Sequence, residues 1–491
     1  MPPPPGCVSW DRLLSAPAAS SLSPLPETSH VELRGLAFYR QVVAPAMCGP
    51  LDSSFWTKLV AQMVHSEPAT RHAVLAISWL YENFGHATCG TSVHGEGESE
   101  ATVTTTTTKK KTTTTTRAVV HVARDDFAIR HYNAAISHLI GLQTSCPADL
   151  NTVLLVCILF TCIEFLRGDA ESAISHSQHG ISLLNSGADI KPELLRVFRH
   201  LGIFPYFFGG EISASSALHL RAAHADAVAF DSLDDAVESL DCLLARAVRL
   251  VRASDHHRLG PGVPEQSLQT VIHEKDALEA HLDAWRSALD KLRRGVRGPG
   301  RQVRTMTLLV LQMRWLVCKI WANTCLAHSE TMYDDHLDRF TRIADVASRA
   351  AQSLPGQRAA PTCRNKFMFV MGFCPLLYFV ATKCRFLRLR LRALSLLQRL
   401  SCMRETLWDA STLYAIGKRI VEIEHGLGGL TAEDVDAPMA LPHADLPADE
   451  ARVRDCAVED VDRDGGVTER RVCFLMLGSE GIERVYEWVR C

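Results

Sequence analysis

Residues 55–85, FWTKLVAQMVHSEPATRHAVLAISWLYENFG, decide the fold. In the first half of this stretch apolar residues recur at helical spacing. Ser66-Glu67-Pro68 then restarts the chain, because proline is tolerated only in the first turn of a helix. The second half carries another apolar face, formed by Ala73, Ile77, Leu80 and Phe84. The pattern predicts two helices that meet at a sharp corner, with Ser66 as the N-cap of the second.

The same periodicity recurs along the chain and predicts an all-α fold, a multi-helix antiparallel array. Residues 150–166 are apolar on all sides and predict a fully buried helix. Gly168 and Asp169 follow as a stop signal and as the cap of the next helix. Near the end, Asp464-Gly465-Gly466 separates two β-prone runs, which predicts a small C-terminal β-hairpin.

Composition divides the chain into four segments. Residues 1–30 are rich in Pro, Ser and Ala, which predicts a disordered N-terminus. Residues 31–428 form the predicted helical domain, interrupted at 86–117 by a disordered insert that contains TTTTTKKKTTTTT. Residues 429–450 are acidic and Ala- and Pro-rich and are predicted to be a linker, and residues 451–491 are predicted to be the hairpin with a short helix.

Charge and hydropathy restrict the partners of the chain. The 491 residues include 52 basic and 55 acidic side chains, a net charge of −3, which argues against nucleic-acid binding by bulk electrostatics. The apolar runs at 153–163 and 367–381 are shorter than the ~20 residues that span a membrane. The N-terminus has no apolar signal region, and the 16 cysteines lie mostly in apolar helices, so we expect a reducing compartment and no membrane.

The sequence offers little to hold a metal. A zinc cluster needs closely spaced Cys-x2-Cys pairs, and the chain contains none. The nearest cysteine pairs, Cys157/Cys162 and Cys318/Cys325, lie in apolar helices, where buried neutral thiols are expected. His176 and His179 share a helix face without an evident third ligand. The hydrolase, metalloprotease, P-loop and dinucleotide-binding motifs are absent. We therefore assign no catalytic, cofactor or metal residues and expect a protein that is not an enzyme.

One acidic motif suggests an alternative. Asp334-Asp335-His336-Leu337-Asp338 places carboxylates at i, i+1 and i+4 of a predicted helix, and such a set can share Mg²⁺ with a diphosphate. The second acidic motif of isoprenoid synthases does not follow. The competing interpretation is that these acids stabilise a helix N-terminus, where the dipole favours negative charge.

A basic run, CRFLRLRLRALSLLQR at 384–399, has two interpretations as well. It could bind nucleic acid, but leucines interleave with the arginines. Arg388 and Arg392 fall on one helix face, and Leu387, Leu391 and Leu394 on another. This spacing favours an amphipathic helix with a solvated or ion-paired arginine face.

Several segments, in collinear order, resemble the regulatory helical region of fungal zinc binuclear cluster (Zn2Cys6) transcription factors. They are residues 55–85, YNAAISHL at 132–139, LLVCILFTCIEFLRGDAESAISHSQHGISLL at 154–184, SETMYDDHLDRF at 329–340, GFCPLLYFVATKCR at 372–385 and RETLWDA at 404–410. The zinc cluster itself is missing, and Thr406 stands where the family commonly has glycine. The resemblance covers roughly residues 31–425 and the tail.

The resemblance implies a fungal transcription regulator in the nucleus, without catalytic residues to carry over. Because the chain has no recognisable zinc cluster, direct DNA contact is not expected. The regulator would act through protein partners (a second copy, a complete factor or transcription machinery), or would be a truncated factor whose cluster is encoded upstream. Two alternatives stay open: a cytosolic helical scaffold, and an Mg²⁺-dependent diphosphate enzyme using residues 334–338.

Overall fold

The computed structural model is mostly helical, as predicted, and its described residues also form two small three-stranded sheets. It describes residues 29–49, 54–84, 115–145, 149–185, 190–208, 229–259, 268–295, 301–353, 365–437, 445–459, 469–479 and 481–491. Most of the predicted N-terminal disorder at 1–30 and of the insert at 86–117 lies outside these residues. The predicted boundaries are slightly wrong: Ser29 caps α1 (His30–Phe38), and α5 begins at Thr115.

The N-terminal segment folds as the predicted helical corner. After α1 come a π-helical turn (Tyr39–Val43), α2 (Ala44–Cys48), a second π-helical turn (Phe55–Val60), α3 (Ala61–Met63) and α4 (Pro68–Asn83). Pro68 occupies the first position of α4, where its missing N–H costs nothing. The N-cap is Glu67, in extended conformation, and not Ser66 as predicted.

The central buried pair is α6 (Leu150–Arg167) and α7 (Ala170–Leu184), which follow α5 (Thr115–Ser145). The Asp149 side chain caps α6. As the sequence predicts, Gly168 ends this helix in the left-handed conformation and the Asp169 side chain caps α7. With two residues between them, the helices pack antiparallel. By length and composition α6 could cross a membrane, but it is packed inside the protein.

The remaining helices complete one continuous core. They are α8 (Pro192–Leu201), α9 (Phe204–Phe207), α10 (Leu233–Ala253), α11 (Asp255–Leu259), α12 (Leu268–Gly295), α13 (Arg301–Thr324), α14 (Leu337–Ser353), α15 (Cys374–Lys383), α16 (Leu387–Leu400), α17 (Ala410–His425) and α18 (Ala432–Asp436). Helix α10 packs on α12 and α13, and α16 packs on α14, α15 and α17. A single apolar cluster extends from the N-terminal corner to α18.

A small inner sheet interrupts regions that the sequence predicted to be helical. β1 (Phe367–Met368) runs parallel to β2 (Arg404–Glu405), and β2 pairs antiparallel with β3 (Trp408–Asp409). The helices that follow these strands therefore begin only at Cys374 and Ala410. The two-residue turn between β2 and β3 gives Thr406 a φ of 58°, a conformation that favours glycine.

The C-terminal sheet contains the predicted hairpin, β4 (Val453–Glu459) and β5 (Glu469–Gly478). The predicted short helix is wrong: residues Gly481–Arg490 form a third strand, β6, paired with β5 along its whole length. The segment contains β-branched and aromatic residues, which suit a pleated surface. Val453, Val472 and Phe474 pack with Ile416 and Ile420 of α17 in a second, smaller core.

The described parts of the predicted linker at 429–450 are mostly exposed, but two apolar residues and a short helix attach them to the core. Leu430 and Val435 are buried, and a capping box between Thr431 and Asp434 starts α18. The Glu422 carboxylate accepts a hydrogen bond from the Leu430 N–H at 2.8 Å. Composition did not predict these contacts, because only a few residues of this Ala- and Pro-rich segment make them.

A buried group of five charges, which we call the charge cluster, joins the C-terminal sheet to the helices: Glu330, Lys383, Arg385, Arg390 and Glu424. Its centre is Glu424 of α17, whose carboxylate lies 2.6 Å from Arg390 and 3.2 Å from Arg385. The same carboxylate accepts the Val453 N–H of β4 at 2.8 Å. The Glu424 carboxylate thus binds both β4, through Val453, and α16, through Arg390.

Glu330 forms the second half of the charge cluster. Its carboxylate lies 2.9 Å from both Lys383 and Arg385, and Arg385 also donates to the Val453 carbonyl. Burial alone would raise the pKa of Glu330 and Glu424, but the neighbouring cations outweigh it and hold both pKa values below the ordinary range. Both acids are therefore charged, and the buried interior can hold them only with the neighbouring cations of the charge cluster.

We predict that Arg390→Gln lowers the free energy of unfolding by about 3–5 kcal/mol, because it leaves buried charge without its closest partner. Arg388→Gln, an exposed position on the same helix, is the matched control and should change it by less than about 0.5 kcal/mol. Urea unfolding measures both. Equal effects of the two variants would contradict a structural role of the cluster.

Candidate functional site

The aspartates singled out in the sequence do not form a shared site. Residues Glu330–His336 form a 3₁₀ turn before α14. Both oxygens of Asp334 accept hydrogen bonds from the Arg452 guanidinium, at 3.0 and 2.8 Å. Asp335 and Asp338 are exposed. One of the three proposed Mg²⁺ ligands is therefore already bound to Arg452, the residue before β4. The described residues contain no group of three or more His, Cys, Asp or Glu that could hold a metal ion.

The cysteine pairs are buried, as expected from the sequence, and the two histidines lie in different surroundings. Cys157, Cys162, Cys318 and Cys325 are buried, and burial raises the pKa of the Cys157 thiol to about 11 and of Cys318 to about 12. Such neutral thiols are poor metal ligands. The His176 ring nitrogen lies 2.9 Å from the Tyr132 hydroxyl of α5, whereas His179 is exposed.

The basic run divides into two sets. Arg388 and Arg399 are exposed, and Arg392 pairs with Asp345 at 2.8 Å, so the predicted solvated or ion-paired face exists. Arg385 and Arg390 are buried, which the sequence interpretation missed. A signal was present: Arg390 falls on the apolar stripe of α16, together with residues 387, 391 and 394. Glu424 likewise continues the stripe of Ile416 and Ile420 on α17.

The structure also contains a cavity that sequence reasoning did not identify. Its volume is about 70 Å³, and one side is open to solvent. Four parts of the chain line it: the π-helical turn at 55–60, α8, the start of α10 and residues 369–370. The lining residues are Phe55, Trp56, Arg196, Val197, Arg199, His200, Asp234, Val237, Glu238, Asp241, Phe369 and Val370. π-Helical turns are often found at functional sites, and here one forms a wall.

Aromatic rings form the apolar wall of the cavity. Phe55 and Trp56 meet edge to face with centroids 4.9 Å apart, and Trp56 meets Phe369 at 4.8 Å. All three side chains are at most 2% exposed. Edge-to-face pairs hold their rings in a defined geometry. The wall is therefore fixed by packing and does not depend on a ligand.

The charges around the cavity are mostly paired with each other. Glu238 accepts from Arg199 and lies 3.4 Å from Arg196. Asp241 pairs with Arg314 at 2.8 Å, and Arg314 also donates to the Met371 carbonyl. These contacts satisfy the carboxylates of Glu238 and Asp241, whereas the third lining carboxylate, Asp234, is exposed.

Besides Arg314, two buried side chains support residues 369–374, the segment that contains Phe369. His200 accepts the Met371 N–H at 3.3 Å, and Glu405 accepts the N–H groups of Gly372 and Cys374 at 2.9 and 3.0 Å. Burial, then Arg314, lowers the pKa of His200 to about 3, so the ring is neutral and can accept. Burial raises the pKa of Glu405 to about 7, and its second oxygen has no hydrogen-bond partner in the described part of the chain.

We predict that Glu405→Gln changes how stability depends on pH. The folded pKa of Glu405, about 7, lies above its ordinary value of 4.5, so folding takes up a proton between these values. The wild type therefore gains stability relative to the variant as the pH falls from 7 to 4.5. At about 1.4 kcal/mol per pKa unit, the gain is on the order of 3 kcal/mol.

Urea unfolding of both proteins at several pH values measures this difference. His200, whose lowered pKa has the opposite effect, is present in both proteins and cancels. Glu433→Gln, at an exposed position, is the control and should follow the wild type. A difference between wild type and Glu405→Gln that stays constant with pH would show that Glu405 has an ordinary pKa.

Comparison with known proteins gives one informative match. The chain is similar to the aspercryptin biosynthesis cluster-specific transcription regulator atnN of Emericella nidulans, with 22% identity over 413 residues. The match covers 66% of this chain and 66% of that protein, slightly under two thirds of its length. No family model matches the chain, and no solved structure matches it. The chain is thus distantly similar to a fungal transcription regulator.

Proposed function

We propose that this chain is a fungal transcription regulator that acts in the nucleus through protein contacts. The observation that carries the proposal is the similarity to a named regulator over 413 residues. The resemblance seen in the sequence supports it, because the quoted segments include α4, α6, α7 and α15, which belong to the main core. The relative's name refers to a biosynthesis cluster, so control of one gene cluster is the form of regulation we propose to test first.

Charge supports action through proteins more than through DNA. The chain carries a net charge of −3 and has no Cys-x2-Cys pair, whereas phosphate-backbone binding requires clustered basic side chains. Of the arginines in the basic run, Arg385 and Arg390 are engaged in the charge cluster. Recruitment to DNA would then depend on a partner or on a segment outside this sequence.

The two alternatives have weaker support. The diphosphate enzyme needs Asp334 free, and that carboxylate is held by Arg452. A cytosolic scaffold would have the same helical architecture as a regulator, but it would remain in the cytosol. A fluorescently tagged full chain expressed in a filamentous fungus separates scaffold from regulator, since we expect accumulation in the nucleus.

The direct test is a tethered reporter assay in the same host. The full chain is fused to an unrelated DNA-binding domain placed upstream of a reporter, and expression is compared with that of the DNA-binding domain alone. We expect a severalfold change, retained by Arg388→Gln and lost with the destabilised Arg390→Gln. Unchanged reporter expression by a folded, nuclear fusion would contradict a regulatory role.

A further inference from the structure

We propose that α5 is an acid-releasable helix, held on α4 by a stack of three histidine rings and freed when the stack becomes protonated. The three residues, which we call the histidine stack, are His72 of α4 and His131 and His138 of α5. The His72 ring stacks on both of the others, with its centroid 5.0 Å from that of His131 and 5.3 Å from that of His138. The stack is thus part of the contact between two helices that are far apart in the sequence.

The closest contact in the histidine stack requires a neutral ring. The Nδ1 atoms of His72 and His131 lie 2.8 Å apart, which is the distance of a hydrogen bond. One ring must donate and the other accept, and only a neutral imidazole can accept. If both rings are protonated, two donors face each other and two positive charges repel. The pair can therefore take up one proton and keep its hydrogen bond, but a second proton breaks it.

The apolar contacts of α5 are modest, so the histidine stack matters for its position. Among its described side chains, at 126–141, only Ala128 and Ala135 are buried, and both are small. Phe127 packs against Trp79 of α4 with centroids 4.8 Å apart, but both side chains are half-buried. Helix α6, by contrast, buries nearly all of its side chains. Loss of one contact can therefore release α5 while the core stays folded.

Charged groups from α1, α4 and α5 lie next to the stack. Glu32 of α1 is 3.9 Å from His131 and favours its protonated form, but Glu32 also binds Arg71 of α4 at 3.3 Å. Arg71 and Arg130 of α5 disfavour further positive charge. Burial and then the two neighbouring rings lower the pKa of His72 to about 4, and burial lowers the pKa of His131. Both rings are therefore neutral at pH 7.

The release of α5 takes up protons. Once α5 leaves, water surrounds the rings, and the pKa of His72 and His131 returns to the ordinary value of 6.5. The docked position thus keeps its full stability above pH 6.5 and loses it as the pH falls from 6.5 to about 4. Release would uncover Trp79 and also Phe160 of α6, on which Tyr132 packs edge to face, so acid would create an apolar surface.

Hydrogen exchange measured by mass spectrometry on the purified full chain tests the release. Exchange is measured at pH 7 and pH 5 and corrected for the intrinsic effect of pH on amide exchange. We expect the opening equilibrium at residues 126–141 to increase by about tenfold or more, and that of the α16 amides by about twofold or less. The readout is structural, so the result does not depend on a transcriptional role.

Matched variants locate the acid sensitivity. His72→Gln keeps an amide that can hydrogen-bond to His131 but cannot become charged, so the pH effect on α5 should shrink to about threefold or less. His65→Gln, at an exposed histidine shortly before α4, is the control and should keep the wild-type response. His131→Gln repeats the test from α5 if His72→Gln fails to fold, as judged by thermal melting.

Two results would overturn the proposal. Equal changes at residues 126–141 and in α16 of the folded wild type would show that acid does not release α5 locally. A full wild-type response in the folded glutamine variants of His72 and His131 would place the acid sensitivity outside the histidine stack.

Discussion

The carboxylate of Glu424 is the contact on which the rest of the architecture depends. It is buried between Arg390 and Arg385 and also accepts the Val453 N–H, so one side chain holds α16, α17 and the first strand of the C-terminal sheet. A buried ion pair adds little net stability over an apolar pair, but removing one partner is costly. The charge cluster therefore determines which elements contact each other, and its net contribution to the free energy of folding is small.

The same principle applies around the cavity. Residues 369–374 run past the core with backbone N–H and C=O groups that need partners, and His200, Arg314 and Glu405 supply them. A neutral histidine and an acid with a raised pKa show that burial dominates the electrostatics there. These polar contacts hold the backbone that carries Phe369, and packing holds the aromatic rings themselves.

Local signals in the sequence predicted the features that depend on local interactions. Gly168 and Asp169 act within one turn of their helices, so the α6–α7 pair was placed correctly. The inner sheet was not predicted, because β1 and β2 are two residues long and are joined by pairing across 37 positions of sequence. The resemblance offered a hint, because the zinc-cluster factors commonly have glycine where this chain has Thr406, and the turn there requires the positive φ that Thr406 adopts.

The cavity and the charge cluster could not be predicted for a similar reason. Each gathers residues from segments that are distant in the sequence. Charged residues are usually exposed, so Arg390 was expected at the surface although it falls on the apolar stripe of its helix. Strand β6 stands where a short helix was predicted within residues 451–491, and its pairing with β5 decided the outcome. Tertiary pairing overrides local preference in each case.

Because the charge cluster joins the C-terminal sheet to the helices, the two should unfold as one cooperative unit. Native-state hydrogen exchange measures whether they do. We predict that the amides of Val453 and Val472 exchange with the same opening free energy as the core amides of α16 and α17. Sheet amides that exchange through a much smaller opening free energy, while the helices stay protected, would contradict the account.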